Sequence, residues 1–207
     1  MAPVVTLAVE GALDEVVLGR VVRAVGASPG SSYGKRGKDY LRQKASGFNN
    51  AARFAPWVLL ADLDDEAECA PDLRRGWLPE PATMMCFRIA VRAIESWLLS
   101  DPSRLSGFLG VSPALIPPSP EQLDDPKQAM VELAARSSRM EIREGMPPRP
   151  GSGIRTGPAY TGRLIEFSLR SWRPQEARKQ ADSLDRCMRA VSTLVRQCRR
   201  RQPVKAR

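Results

Sequence analysis

Three short apolar runs, each bounded by polar or turn-forming residues, predict buried β-strands. They cover Pro3–Val9, Trp57–Leu63 and Met84–Ala90. Continuous apolar runs of this length are typical of strands that are covered on both faces, as in parallel sheets. Because an amphipathic helical pattern over Leu13–Val25 follows the first run, we expect an α/β fold with a mostly parallel sheet flanked by helices.

The second half of the chain has helical periodicity instead. Aspartate–proline pairs at positions 101–102 and 125–126 place a capping residue before a proline, as at the starts of helices. The pattern predicts helices over residues 102–109, 126–139 and 160–172, and a last helix that begins at Pro174.

Two stretches have no clear hydrophobic period and are expected to be loops. Gly26–Asn50 is rich in glycine, serine and basic residues, and Glu66–Pro81 contains prolines and a glycine. Short helices are expected at Asp39–Ala45 and Phe48–Phe54, the second of which leads into the strand at Trp57.

The length of 207 residues suits one α/β domain with a helical extension. We expect an α/β domain over residues 1–112, a helical C-terminal region packed on it over 113–196, and a basic tail over 197–207.

The net charge is +9, from 32 basic and 23 acidic residues, and favours a polyanionic partner such as DNA or RNA. An arginine-rich protein from a GC-rich genome would have a similar composition without such a partner. The basic residues concentrate in Gly34–Lys44 and at the C-terminus, however, while the carboxylates gather after predicted strands. This separation favours the polyanionic partner.

The sequence contains no histidine, which excludes Ser–His and Cys–His nucleophile systems and imidazole metal ligands. The four cysteines lack CxxC spacing, which argues against a zinc site and favours reduced thiols in the cytoplasm. No apolar run reaches 18 residues, and the N-terminal residues lack a basic leader pattern. We therefore expect a cytoplasmic protein with no membrane span.

Acidic residues follow the predicted strands. Glu10 follows the first run, Asp62, Asp64 and Asp65 end the second, and Glu95 comes after the third. Ligand sites in open α/β sheets lie at the carboxyl ends of strands, and Mg²⁺ or Mn²⁺ would offset the repulsion between neighbouring carboxylates. In an extended chain Asp62 and Asp64 point the same way, which favours this pair over Asp62 with Asp65. The alternative is a solvated and inert acidic turn.

Basic residues near these carboxylates are candidate phosphate ligands. Gly34–Lys38 carries three cations between glycines and could wrap a phosphate, although it lacks the Walker A pattern; the alternative is a mobile surface loop. On a helix, Arg88, Arg92 and Glu95 would share one face, and the alternative for the last two is a simple ion pair. The full candidate set is Lys35, Arg36, Lys38, Arg88, Arg92 and Arg163.

Two of these motifs together resemble the TOPRIM (topoisomerase–primase) fold. Val9-Glu10-Gly11-x-x-Asp14 resembles its glutamate–glycine turn after the first strand, and Asp62-Leu63-Asp64 resembles its DxD motif after a later strand. Asp65 extends the second motif to DxDD, so the metal pair could also be Asp62 with Asp65. The resemblance implies a TOPRIM-like sheet over the first part of the chain.

Over its whole length the chain also resembles an uncharacterised bacterial and archaeal family, domain of unknown function 4276 (DUF4276). The segments that carry this resemblance are residues 87–101, 125–127 and 157–167. It implies a TOPRIM-like protein that works beside an ATPase, in a setting suggestive of anti-phage defence.

These resemblances predict a Mg²⁺- or Mn²⁺-dependent nuclease. Asp62 and Asp64 would hold a metal, Glu10 would be a further ligand or move a proton, and Glu95 would complete a second metal site. The catalytic candidates are Glu10, Asp62, Asp64 and Glu95, and the metal candidates are Glu10, Asp62, Asp64 and Asp65. One alternative is a non-catalytic effector or adaptor that binds an ATPase partner through residues 126–196. Another is a basic nucleic-acid-binding module.

Overall fold

Four parallel strands form the sheet of this protein in a computed structural model that describes residues 2–201, which confirms the α/β expectation. The strands are β1 (Val4–Val9), β2 (Ser28–Gly34), β3 (Trp57–Asp62) and β4 (Met85–Ala90). Their order across the sheet is β2-β1-β3-β4. The carboxyl ends of all four strands therefore face one edge of the sheet.

The central strand β1 pairs with β2 on one side and with β3 on the other. Leu7 is opposite Val58 of β3, and Val9 is opposite Gly34 of β2. β3 and β4 are buried along nearly their whole length, and β1 is buried at four of its six positions. The sequence-based assignment of these three strands is thus confirmed.

Strand β2 was not expected, because its sequence Ser-Pro-Gly-Ser-Ser-Tyr-Gly has the composition of a loop. It is an edge strand, with no fully buried residue, and backbone pairing to β1 defines it. A Cβ on Gly34, whose φ is +91°, would lie 2.2 Å from the carbonyl oxygen of Val9. Glycine is therefore required where β2 ends against β1.

Ten α-helices lie within residues 2–201. They are α1 (Ala12–Ala24), α2 (Lys38–Ala51), α3 (Ala70–Trp77), α4 (Ile94–Leu99), α5 (Pro102–Leu109), α6 (Pro126–Ala135), α7 (Met140–Gly145), α8 (Tyr160–Arg170), α9 (Pro174–Ala177) and α10 (Asp182–Arg201). No helix among the described residues is long and apolar enough to cross a membrane.

Several helix boundaries correct the sequence-based expectation. The two short helices expected over 39–45 and 48–54 are one helix, α2, and the loop expected over 66–81 contains α3. The helix that begins at Pro174 ends after one turn, and the long last helix begins at Asp182. Residues 197–201, where a basic tail was expected, belong to α10, and the rest of that tail lies outside the described residues.

The described chain divides into two compact units. Unit 1 contains residues 2–61, 66–89 and 185–201, and unit 2 contains residues 62–65 and 90–184. These boundaries differ from the domains expected at 1–112 and 113–196.

Each unit has its own apolar core. In unit 1, α1 buries Val17, Leu18 and Val21 completely. In unit 2, Trp97 and Trp172 are both completely buried, and the indole Nε1 of Trp172 donates a hydrogen bond to the backbone oxygen of Trp97 at 3.1 Å. This bond satisfies a polar group that burial would otherwise leave without a partner.

Candidate functional site

In unit 1, Glu10 follows β1 and is tied to the basic loop that follows β2. The backbone N–H of Gly37 donates to the carbonyl oxygen of Glu10 at 3.1 Å, and that of Lys35 donates to Val9 at 2.9 Å. Asp14, in the first turn of α1, is buried beside Gly11. The Glu10–Gly11 turn and the basic loop over residues 34–38 therefore form one structure at the carboxyl ends of β1 and β2.

The cations of this loop are held by neighbouring groups. Lys35 Nζ lies 3.2 Å from a carboxylate oxygen of Glu15, and Lys38 Nζ lies 3.2 Å from Glu66. The guanidinium of Arg36 lies over the ring of Tyr40, 4.8 Å from its centroid. The loop is thus ordered by contacts within unit 1, and Arg36 is exposed and makes no ion pair with the described residues.

Glu66 links α2 to α3 within unit 1. Its carboxylate accepts hydrogen bonds from Trp77 Nε1 at 2.9 Å and from Arg42 at 3.0 Å, besides the ion pair with Lys38. Burial acts to raise the pKa of Glu66, but the hydrogen bonds from Trp77 and Lys38 and the charges of Lys38 and Arg42 outweigh it and lower that pKa. The carboxylate is therefore held in its charged form.

In unit 2, residues 62–65 are attached to the segment that follows β4. The backbone N–H of Leu63 donates to Ala90 at 2.9 Å, and that of Asp64 donates to Arg92 at 2.8 Å. Strand β3 ends at Asp62, and Asp64 lies in a turn with φ of +47°. The argument that Asp62 and Asp64 point the same way assumed extended chain, and that premise is wrong beyond Asp62 because the chain turns there.

Asp65 and Arg92 form an exposed ion pair in this unit. The guanidinium Nη1 of Arg92 lies 3.5 Å from Asp65 Oδ1, and the Asp65 side chain is almost fully exposed. An exposed pair of this kind contributes about 0–1 kcal/mol. The partner of Arg92 is thus Asp65 rather than Glu95.

Arg88, Arg92 and Glu95 do not share a helix face, which corrects the sequence-based expectation. Arg88 lies on β4, Arg92 lies between β4 and α4, and Glu95 lies in the first turn of α4. The helical periodicity fails here because the strand continues to Ala90. Arg163 lies on α8, where its Nη1 is 3.0 Å from a carboxylate oxygen of Glu166.

Glu95 is buried, with only 2% of its surface exposed, and is held by Tyr160 from α8. The Tyr160 hydroxyl donates to Glu95 Oε1 at 3.0 Å, while Oε2 is buried and accepts no hydrogen bond from any described residue. Burial, the charge of Glu95 and this hydrogen bond raise the pKa of Tyr160 far above its ordinary value. The hydroxyl therefore stays protonated and remains a donor.

The three segments that carry the DUF4276 resemblance each contribute to the surroundings of Tyr160. Glu95 comes from residues 87–101, and Asp125, whose charge also raises the pKa of Tyr160, comes from 125–127. Asp125 caps α6 by accepting from the backbone N–H of Gln128 at 2.9 Å, and it also pairs with Arg155. Sequence reasoning predicted the capping role of Asp125, which is confirmed, but it named neither Asp125 nor Tyr160 as a site residue, because neither belongs to a spacing pattern with Glu95.

The donor chemistry of the carboxylates fits Mg²⁺ or Mn²⁺, which prefer oxygen ligands. Within residues 2–201, no three Cys, Asp or Glu side chains are arranged to enclose a metal ion. Mg²⁺ often binds through one or two carboxylates, and water and substrate phosphates complete its coordination. The acidic residues described above can support a metal site of this open type. The burial of Glu95 makes it a poor second ligand.

No family model, curated protein or solved structure matches the chain. The resemblances to TOPRIM proteins and to DUF4276 therefore stay predictions that rest on the motifs.

Proposed function

We propose that this protein is a Mg²⁺- or Mn²⁺-dependent nuclease that hydrolyses phosphodiester bonds in DNA or RNA. The sheet topology is the observation that carries the proposal. Glu10 directly follows β1, Asp62 is the last residue of β3, and these two strands are adjacent and parallel. Open parallel sheets bind their ligands at the carboxyl ends of strands, which is where both carboxylates occur.

Backbone conformation adds support for the same edge. Among the described residues, the non-glycine residues with positive φ are Lys35, at +58°, and Asp64, at +47°. Lys35 directly follows β2, and Asp64 comes two residues after β3 ends. Backbone conformations that are unfavourable for L-residues concentrate at functional sites, because the surrounding structure must hold them.

The residues take the following roles in the proposal. Asp62 and Asp64 would hold the metal ion, and Asp64 is assigned rather than Asp65 because Asp65 is almost fully exposed and pairs with Arg92. The metal would supply positive charge to the phosphate that is attacked. Glu10 is a further ligand or accepts the proton of the attacking water, as one phosphorus–oxygen bond forms and the bond to the leaving oxygen breaks. Arg36 binds substrate phosphates and gives binding that depends on salt and little on sequence.

The test is cleavage by the purified full chain of labelled single-stranded DNA, duplex DNA and RNA, with Mn²⁺, with Mg²⁺ and with EDTA. Asp62→Asn, Asp64→Asn and Asp65→Asn each remove one carboxylate charge within residues 62–65, and Asp65→Asn is the matched control because Asp65 is almost fully exposed and pairs with Arg92. We expect Asp62→Asn and Asp64→Asn to lower metal-dependent cleavage at least ~100-fold, because each removes a metal ligand. Asp65→Asn is expected to retain metal-dependent cleavage.

Equal cleavage by Asp62→Asn and the unmodified protein would contradict the proposal. Nucleic-acid binding that survives both EDTA and Asp62→Asn, without cleavage, would support the alternative of a binding module. Activity that arises only after an ATPase is added would support an effector that works with such a partner.

A further inference from the structure

Unit 1 contains a cavity that is lined by two arginines and lies outside the residues proposed for catalysis. Its volume is about 300 Å³, and its walls come from α3, β4 and α10. Arg74 of α3 and Arg88 of β4 line it together with Thr83 and Gln197, and Phe87 and Leu194 supply apolar wall. No acidic residue lines this cavity.

The two guanidinium groups are partly buried and lack acidic partners among the described residues. The Nε atoms of Arg74 and Arg88 are both buried, and neither makes a hydrogen bond within residues 2–201. Burial lowers the pKa of Arg74, and the nearby charge of Arg88 lowers it further. Two like charges in a partly desolvated place repel each other, and buried N–H groups without acceptors destabilise the folded protein.

An anion in the cavity would remove both costs. Guanidinium groups offer several N–H donors in a planar fork, and they form their strongest hydrogen bonds with phosphate and carboxylate oxygens. A doubly charged phosphate matches two arginines in charge. The amide of Gln197 and the hydroxyl of Thr83 supply further polar groups at the same cavity.

We propose that Arg74 and Arg88 form a binding site for a phosphate group, either free inorganic phosphate or the phosphate of a small nucleotide. The volume lies at the small end of ligand pockets, so it admits the phosphate and a limited part of any attached molecule. This site does not depend on the proposed nuclease activity, because its residues belong to α3, β4 and α10 and none is a metal candidate.

Arg75 provides a matched control for Arg74. It is the next residue on α3, its side chain is largely exposed, and its guanidinium pairs with Asp72. Arg74→Gln and Arg75→Gln therefore remove the same charge from the same helix, but only the first removes a cavity residue. Arg88→Gln tests the second arginine from a different element.

The experiment measures the thermal midpoint of the full chain in sodium phosphate and in sodium chloride of equal ionic strength, and separately with a nucleoside monophosphate. We expect phosphate at ten times its dissociation constant to raise the Tm of the unmodified protein by ~3 °C.

Arg75→Gln should keep this shift, whereas Arg74→Gln and Arg88→Gln should lose it. A larger shift with the monophosphate than with phosphate identifies a nucleotide ligand.

Two results would overturn the proposal. One is a Tm that responds equally to phosphate and to chloride. The other is a phosphate response that Arg74→Gln and Arg75→Gln reduce to the same extent, since that would reflect general charge. Because Arg74→Gln is compared with itself in the two salts, a change in its basal stability does not affect the conclusion.

Discussion

The buried carboxylate of Glu95 depends on a single side-chain donor, the hydroxyl of Tyr160. One carboxylate oxygen accepts this hydrogen bond, and the other accepts none from the described residues. Buried polar groups are stabilised by the hydrogen bonds they make and are costly without them. The hydrogen bond from Tyr160 is thus expected to stabilise the folded state of unit 2.

We predict that Tyr160→Phe lowers the free energy of unfolding by about 1–3 kcal/mol, because it leaves the Glu95 carboxylate without this donor. Urea denaturation followed by circular dichroism measures the change. Tyr33→Phe is the control, because Tyr33 is exposed and its hydroxyl makes no hydrogen bond with the described residues, so its effect should stay within about 0.5 kcal/mol. Equal effects of the two variants would show that the Glu95 bond contributes no stability.

At individual residues, pattern reasoning is limited by local backbone conformation. The spacing of Asp62 and Asp64 predicted a common direction only for extended chain, and the turn at Asp64 removes that condition. Arg74 and Arg88 line one cavity because α3 and β4 meet there, and no sequence period relates positions on different elements. Such contacts follow from the tertiary fold and require a structure.

Among the elements, the strands that could be predicted are those whose own side chains are buried. β1, β3 and β4 are apolar and were expected, since burial on both faces leaves a continuous apolar run. β2 has no such signal, because this edge strand is held by backbone hydrogen bonds, which do not require apolar side chains. The short helix α3 was missed for a related reason, since its proline and glycine are typical of loops.

A substitution at Gly34 tests the close backbone approach between the end of β2 and β1. We predict that Gly34→Ala destabilises the protein by about 3 kcal/mol, because the new Cβ would collide with the carbonyl oxygen of Val9 and φ is +91°. Thermal and urea denaturation measure the effect.

Gly47 is the matched control for that substitution. It lies inside α2, and a Cβ there would meet no atom within 4 Å. Gly47→Ala is therefore expected to stabilise the protein by about 0.5–1 kcal/mol, because alanine is the better helix former. Destabilisation by both variants, or by neither, would contradict this account of β2.

For the whole molecule, the count of 32 basic residues overstates the number of cations that are free to bind a polyanion. Lys35, Lys38 and Arg163 each have a carboxylate partner within 3.2 Å. The partly buried arginines of the α3–β4–α10 cavity and the exposed Arg36 are better placed to contact phosphates. The composition predicts a negatively charged partner. It does not show which basic side chains are already paired with carboxylates, and that information comes only from the fold.

The four cysteines give a prediction for the molecule as a whole. Cys69 is exposed, whereas Cys86, Cys187 and Cys198 are buried, and all four lie in unit 1. Burial raises the pKa of Cys86 to about 11, and it also raises the pKa of Cys187 and of Cys198. Because the thiolate is the reactive form, the buried thiols should react slowly on grounds of both access and ionisation.

We predict that the native protein at pH 8 exposes one rapidly reacting thiol to Ellman's reagent and that unfolding in guanidinium chloride exposes all four. Cys69→Ser should abolish the rapid phase and leave the number of slow thiols unchanged, which assigns the rapid thiol without disturbing the core. The rate of the slow phase should then follow the opening of unit 1, since reaction of its buried cysteines requires that opening. Rapid reaction of two or more thiols in the native protein would contradict the protection of Cys86, Cys187 and Cys198 by burial.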